Sequence, residues 1–435
     1  RPTMNRQDPA LSTSPSEPDA RYRYVVVAAL AFAYMLNFVD RQLLSILVEP
    51  VKQDLGLSDT QIGMLTGLMF ALFYTFFGIP VAMIADRGNR TRLIAAACGI
   101  WSIFTALSGL ATGFISLALA RIGVGIGEAG CSPPSYSIIA DYFPAHKRGR
   151  ALALYLLGVP AGSFVGAVAG AAIANAYGWR AAFIVIGAAG LLFAPLLLLI
   201  VREPVRGRFD AAAPSDAAPP RLIEALGYFW RSPIFIFTGL ACGLTSFCSY
   251  GLLNWTPAFL SRVQGMSLGQ ISGYFGVLVA GSMVVAAWIG AMVADKAGAR
   301  NPIWYAMLPG LGMLLVVPFL FGFTMVDDWS LSLLLLVPPT LLTSIYLVPA
   351  LALLQNRTPP QYRATVSATL LFLLNLLGLG CGPLFVGMVS DRLTPVYGTA
   401  GLAMALQWLT PFIILAFLCQ AITAWLIRRE RLRGN

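Results

Sequence analysis

The chain has 435 residues, 58% of them hydrophobic and only 11% charged, with a mean hydropathy of +0.75. A soluble domain holds roughly 45–50% apolar residues, so a soluble fold is excluded and an all-α integral membrane protein is expected. The formal net charge of +10 would suggest nucleic acid as a partner in a soluble protein. Here all the basic residues but Arg41 and Arg121 fall in loops and tails, and no nucleic-acid partner is expected.

Residues 1–20 are polar and contain Pro and Ser, without the short apolar core and small-residue cleavage site of a signal peptide. They are expected to form a disordered tail. Apolar segments long enough to span a bilayer then follow near 22–48, 60–85, 92–112, 114–140, 150–174 and 180–201. Residues 202–231 contain the stretch DAAAPSDAAPP, which cannot pack into a core and reads as an exposed linker. Six more spans lie near 233–260, 269–294, 302–323, 330–355, 364–389 and 400–427. The expected organisation is a bundle over 21–201, the linker over 202–231, a second bundle over 232–428 and a tail over 429–435.

Orientation follows from the 29 Lys and Arg. With the tails and even-numbered loops on one side, the opposite side holds only Lys52, Arg180, Arg262 and Arg392, while Arg41 and Arg121 lie inside spans. Both termini are expected in the cytoplasm, in a plasma membrane (the inner membrane of a bacterium). The halves also repeat. VAMIADRGNR (81–90) ends the second span and GAMVADKAGAR (290–300) the eighth, so Asp86 and Asp295 correspond. DYFPAHKRGRA (141–151) and NRTPPQYRATV (356–366) match likewise, Pro144 over Pro359 and Arg148 over Arg363. Twelve transmembrane helices in two parallel six-helix pseudo-repeats describe a transporter architecture.

Four ionisable residues interrupt the apolar runs: Asp40 and Arg41 in the first span, Arg121 and Glu128 in the fourth. A charge at bilayer depth costs on the order of 3 kcal/mol, so it is seldom retained without a use. At helical rise Asp40 lies about 12 Å and Arg121 about 13 Å from the same surface, with Glu128 about 10 Å deeper on the same face of its helix. One reading is a structural ion-pair cluster pinning two helices. The other is a site where substrate or proton displaces one partner from another, with Asp40 and Glu128 taking the proton because Arg remains charged. Arg41, turned about 100° from Asp40, either holds an anionic head group or pairs with Asp40 or Glu128. Arg121 is the other charge partner.

The glycines at 123, 125, 127 and 130 of the fourth span are expected to serve close helix packing. The second half has no charge within its spans, and its polar candidates for a cavity wall are Tyr250, Asn254 and Asn375, beside Phe247. Charge in one half and an apolar wall in the other suit an amphiphilic ligand. The six cysteines all lie in apolar stretches and the one histidine, His146, in a basic loop. No metal site, cofactor or catalytic residue is therefore expected, nucleotide-binding loops are missing, and an enzyme is disfavoured. A transport-inactive receptor is the alternative from a different class, though only short tails are left for signalling.

The loop Asp86-Arg87-Gly88-Asn89-Arg90 resembles the Asp-Arg-x-Gly-Arg signature of the major facilitator superfamily, with Asn89 in place of the loop Gly and Ala82 in place of the upstream Gly. Arg121 followed by Gly125 and Gly127 is similar to that superfamily's Arg-x-x-x-Gly-x-Gly pattern, which implies proton coupling. The resemblance further implies that Asp86, Arg87, Arg90 and Asp141 form a cytoplasmic gate latching spans two, four and eleven in one state. LNFVDRQLLS (36–45) and GVGIGEAGCSPPSYSIIADYF (123–143) resemble the Spinster branch. That branch implies a proton-coupled, alternating-access transporter of lysophospholipids or phosphorylated sphingoid bases. Related branches with an Asp-Arg pair in span one imply small organic anions instead. Protons, an amphiphile and the bilayer are the expected partners, and the chain is expected to act as a monomer.

Overall fold

The computed structural model describes residues 20–209, 222–298 and 300–433. Most of the expected N-terminal tail and the whole Ala/Pro-rich stretch of the linker lie outside the described residues. Among those described, twelve helices are long and apolar enough to cross a membrane. In the first half they are α1 (Ala20–Ile46), α2 (Asp59–Arg87), α3 (Arg90–Ser108), α4 (Phe114–Tyr142), α5 (His146–Tyr177) and α6 (Trp179–Ile200). The second half contributes α7 (Pro233–Arg262), α8 (Leu268–Gly298), α9 (Trp304–Met325), α10 (Trp329–Arg357), α11 (Thr365–Tyr397) and α12 (Ala400–Arg433). Helices dominate because a backbone in hydrocarbon must satisfy every N–H and C=O within its own segment.

Each half packs around its own partners: α1 along α5 and α3 along α6 in the first, α7 and α9 along α12 in the second. The two halves meet chiefly where α2 lies on α11 and α5 on α8. Since α8 repeats α2 and α11 repeats α5, this is one interface made twice.

The α2–α11 contact is unusually close. Both helices widen there into a π-helical turn, Met64–Leu68 in α2 and Leu374–Cys381 in α11. A Cβ on Gly67 would stand 2.7 Å from the Gly380 carbonyl oxygen, and one on Gly63 2.6 Å from that of Pro383. No side chain fits between those backbones.

Two sequence expectations are corrected. The end of the linker is not fully exposed: Leu222–Arg231 forms a helix. Its Phe229 is fully buried near Phe235, and Tyr228 stacks on Tyr362 at 5.3 Å, so the helix docks on the second half. The last helix also runs to Arg433 instead of stopping at residue 428. Its final turns are basic, which suits a helix C-terminus and its negative dipole end.

One end of the molecule, bearing the described chain ends and the described parts of the linker, differs from the far end. At the far end the halves are clasped together. At the termini end, by contrast, the closing segments of α4 and α10 and the opening segments of α5 and α11 make their main contacts within their own halves.

Candidate functional site

The four intramembrane charges meet in the first half. Arg121 Nη1 donates to Asp40 Oδ2 at 2.7 Å, and Arg41 Nε donates to Glu128 Oε2 at 2.7 Å. Asp40, Arg121 and Glu128 are each 1% exposed. The Arg41 side chain retains 15% of its surface. Glycines make this approach possible: a Cβ on Gly125 would lie 2.8 Å from the Phe70 carbonyl oxygen, and one on Gly127 2.6 Å from the Trp101 nitrogen. Thus α4 presses directly on the backbones of α2 and α3, as expected of a small-residue face.

Aromatic rings surround the cations. The Arg41 guanidinium carbon lies 4.9, 4.6 and 4.8 Å from the ring centroids of Phe38, Phe70 and Tyr74. Phe70 also takes Arg121, at 5.5 Å, so one buried ring serves both arginines. Each such contact is worth about 0.5–2 kcal/mol, the more when desolvated. Thr105, from α3, donates to Asp40 Oδ1 at 2.7 Å. Three buried polar atoms here have no hydrogen-bond partner among the described residues: Glu128 Oε1, Arg121 Nε and Asn37 Oδ1. An orphaned buried polar atom costs about 1–3 kcal/mol.

The second-half candidates divide. Tyr250 lies within electrostatic reach of Arg41 and Glu128, facing the charges across the interface. Asn254 accepts a hydrogen bond from Ser45 Oγ at 2.7 Å, joining α7 to α1. Asn375 is half-buried in the π-helical turn of α11. Phe247 is corrected: it is 8% exposed and packs on Phe385 and Phe412 at 5.4 and 4.7 Å, a core position rather than a cavity wall.

The far end is closed by Asp59, at the start of α2 and 1% exposed. Its carboxylate takes Arg262 Nη1 and Nη2 at 2.7 and 2.8 Å, Lys52 at 2.5 Å and the Ser390 hydroxyl at 2.6 Å. Asp391 of α11 in turn accepts the backbone N–H groups of Asp59 and Thr60 at 2.9 and 2.7 Å. Arg262 also pairs with Glu49. These bonds tie α2 to α7 and α11, one half to the other. The Asp54–Arg180 pair nearby stays within the first half; the guanidinium's hydrogen bond holds the Asp54 carboxyl below its ordinary range, but the pair is exposed and contributes little.

Of the four gate residues, the structure joins Arg90 to Asp141 at 2.5 Å and leaves Asp86 and Arg87 exposed. None of the four reaches α11 by a hydrogen bond or ion pair among the described residues. Instead the segment after α6 straps this corner. Glu203 takes Arg90 Nε at 2.6 Å and the Thr91 N–H at 2.9 Å, capping α3. Arg206 donates to the carbonyls of Ala85, Asp86 and Gly88 at the end of α2. Among the described residues no group of three or more His, Cys, Asp or Glu stands together as metal ligands.

Comparison with known proteins places this geometry. The Major Facilitator Superfamily model matches residues 30–383. An "MFS-type efflux pump" of Mycolicibacterium smegmatis is 35% identical over 409 residues, covering 93% of this chain and 92% of that protein. Human "Protein spinster homolog 1" is 28% identical over 389 residues, covering 85% and 73%. A crystal structure of a bacterial homologue of the human lysosomal transporter Spinster, in an inward-facing and unoccupied conformation, superposes with a TM-score of 0.83 at 31% identity, covering 96% and 99%. The chain belongs to the Major Facilitator Superfamily and is a transporter of its Spinster branch.

Proposed function

We propose that this chain is a proton-coupled secondary transporter that works by alternating access and carries a lysolipid or similar anionic or zwitterionic amphiphile. The carrying observation is the pair of buried ion pairs between α1 and α4, Asp40–Arg121 and Arg41–Glu128. Arginine stays charged at any working pH, so the proton goes to a carboxylate. Protonating Glu128 releases Arg41, the most accessible of the four charges, to an anionic head group. The aromatic cage keeps the released guanidinium from collapsing into the apolar interior. The second half, without a charged residue in its membrane-depth segments, offers the tail an apolar wall.

With the termini in the cytoplasm, as the Lys and Arg distribution favours, the far-end clasp closes the outer side and the described state faces inward. The exposed Asp86 and Arg87 support that reading, because their latch to α11 belongs to the opposite state. The efflux-pump name of the M. smegmatis relative favours export as the direction. The protein sits in the plasma membrane as a multi-pass monomer, since one chain supplies both the charged and the apolar side of the proposed site.

The test is reconstitution of the purified chain into liposomes, with lysophospholipids and small organic anions offered with and without a pH gradient. Gradient-driven movement of the lysolipids alone supports the proposal. Movement of the small acids alone replaces it with an organic-anion transporter.

A further inference from the structure

Thr105 sits in α3, 1% exposed, opposite the carboxyl group of Asp40. Its hydroxyl oxygen lies 2.7 Å from Asp40 Oδ1 and 2.9 Å from the carbonyl oxygen of Trp101, one turn earlier in α3. A threonine hydroxyl has a single proton to donate, together with lone pairs that accept. It can serve one of those two acceptors at a time. The other carboxylate oxygen, Oδ2, is held by Arg121 Nη1 at 2.7 Å.

We propose that Thr105 is a positioning residue that reads the proton on Asp40 and supports both of its charge states. With Asp40 ionised, the Thr105 O–H donates to Oδ1, a charge-assisted bond. A proton delivered from water adds to Oδ1, because Oδ2 faces a cation. The new O–H of Asp40 then donates to the Thr105 oxygen, and the Thr105 proton turns to the Trp101 carbonyl. One O–H bond forms, none breaks in the protein, and no heavy atom has to move. Oδ1 keeps a partner throughout, and α1 stays tied to α3. Arg121 has only donors and suits the ionised form alone. Thr105 is amphoteric and suits either.

The other groups facing Asp40 are Arg121 and Glu128 from α4, with Arg41 beside it on α1 and Tyr74 of α2 and Tyr250 of α7 grouped around Arg41. The segment Gly158–Tyr177 of α5, packed along α1, carries no Asp, Glu, Lys, Arg or His. No neighbour on that side competes for the role. The inference rests on the reading of Asp40 as a coupling carboxylate, and the experiment separates the two.

The full chain in proteoliposomes, without added substrate, is titrated while infrared difference spectroscopy follows the carbonyl stretch of protonated carboxyl groups. Asp40→Asn identifies the Asp40 band as the one it deletes. Thr105→Val removes a donor to the ionised form and an acceptor to the neutral form. The charged form loses more, so the midpoint of that band moves up by about half to one pH unit. Thr105→Ser, which restores the hydroxyl, returns the midpoint to the wild-type value. An Asp40 band whose midpoint is unchanged in Thr105→Val, or in Thr105→Ala should the valine variant not fold, overturns the role of Thr105 alone. If Asp40→Asn deletes no titrating band, the coupling role of Asp40 fails and this inference with it.

Discussion

Asp40 and Arg41 are adjacent in the chain, yet they bind residues of α4 that stand two helical turns apart, Arg121 and Glu128. Successive helical residues point about 100° apart, and Arg121 and Glu128 differ by about 20° around their own axis. One helix therefore presents a fork and the other a ladder. Four charges close into a neutral set, and a single proton on either carboxylate leaves it with a net positive charge. That excess is what an anionic substrate would neutralise.

The two carboxylates should fail differently when neutralised. Both Asp40→Asn and Glu128→Gln should lose accumulation driven by a pH gradient while retaining exchange at equal pH on both sides. Removing one member of a buried pair typically costs about 3–5 kcal/mol, because the remaining charge stays desolvated. Arg121 is 1% exposed, whereas Arg41 keeps 15% of its side-chain surface. Asp40→Asn should therefore lower the thermal midpoint of the detergent-solubilised protein more than Glu128→Gln. Gradient-driven accumulation undiminished in both variants would sink the coupling scheme.

The clasp around Asp59 should set the balance between states. Its carboxylate bonds to Arg262 and Ser390 cross from one half to the other. Hydrogen bonds to charged groups are worth about 1.5–3 kcal/mol each. Asp59→Asn should shift the population toward the form open at the far end by roughly 5- to 150-fold. Spin labels at Gln53 and Val396, exposed residues of opposite halves at that end, would read a longer distance. An unaltered distance distribution would assign closure to packing rather than to charge.

Packing at the same interface has its own test. Gly67→Ala would put a methyl group 2.7 Å from the Gly380 carbonyl oxygen and 2.9 Å from that of Leu379, both backbone atoms. Overpacking of this kind costs about 1–3 kcal/mol. Because the strain exists only while α2 lies on α11, the variant should fold but close poorly at the far end, with the turnover rate reduced at least several-fold. A fully active Gly67→Ala would mean that the two π-helical turns do not approach this closely in the working cycle.

What was legible in the sequence follows from what helices force. Length and hydropathy mark the spans, and helical rise alone puts Asp40 and Arg121 at one depth. The partner of Arg41 stayed open, because an arginine's reach exceeds one turn and rotation fixes its direction only. Phe247 and Tyr250 were indistinguishable in α7, whose apolar residues run all round the helix and carry no periodicity to separate core from cavity. Thr105 left no signal, since a threonine in an apolar run ordinarily bonds its own helix. Asp59 was hidden by its neighbours: Ser58 and Gln61 form a capping box, which gives a start to α2 and masks the clasp. The linker helix was obscured by the Ala/Pro stretch just before it, although LIEALGYFWR is amphipathic.

The substrate class makes the sharpest demand on the site. If Arg41 takes an anionic head group and the tail lies against the second half, affinity should rise with chain length, by up to about 0.8 kcal/mol for each methylene fully buried. Two added methylenes, both fully buried, would then tighten binding by up to about 15-fold. Arg41→Ala should weaken every homologue by a similar factor, since it removes the head-group contact and leaves the tail contact intact. It also unpairs Glu128, so the comparison needs Arg41→Lys. A lysine keeps the charge but loses the planar fork and its stacking on Phe38, Phe70 and Tyr74. Its affinities should fall between those of the wild type and the alanine variant, with the same slope against chain length. The measurement is isothermal titration of a homologous series of lysophospholipids, kept below their micellar concentrations. A short hydrophilic acid binding as tightly as the longest homologue would remove the amphiphile from the scheme and leave a small organic anion in its place.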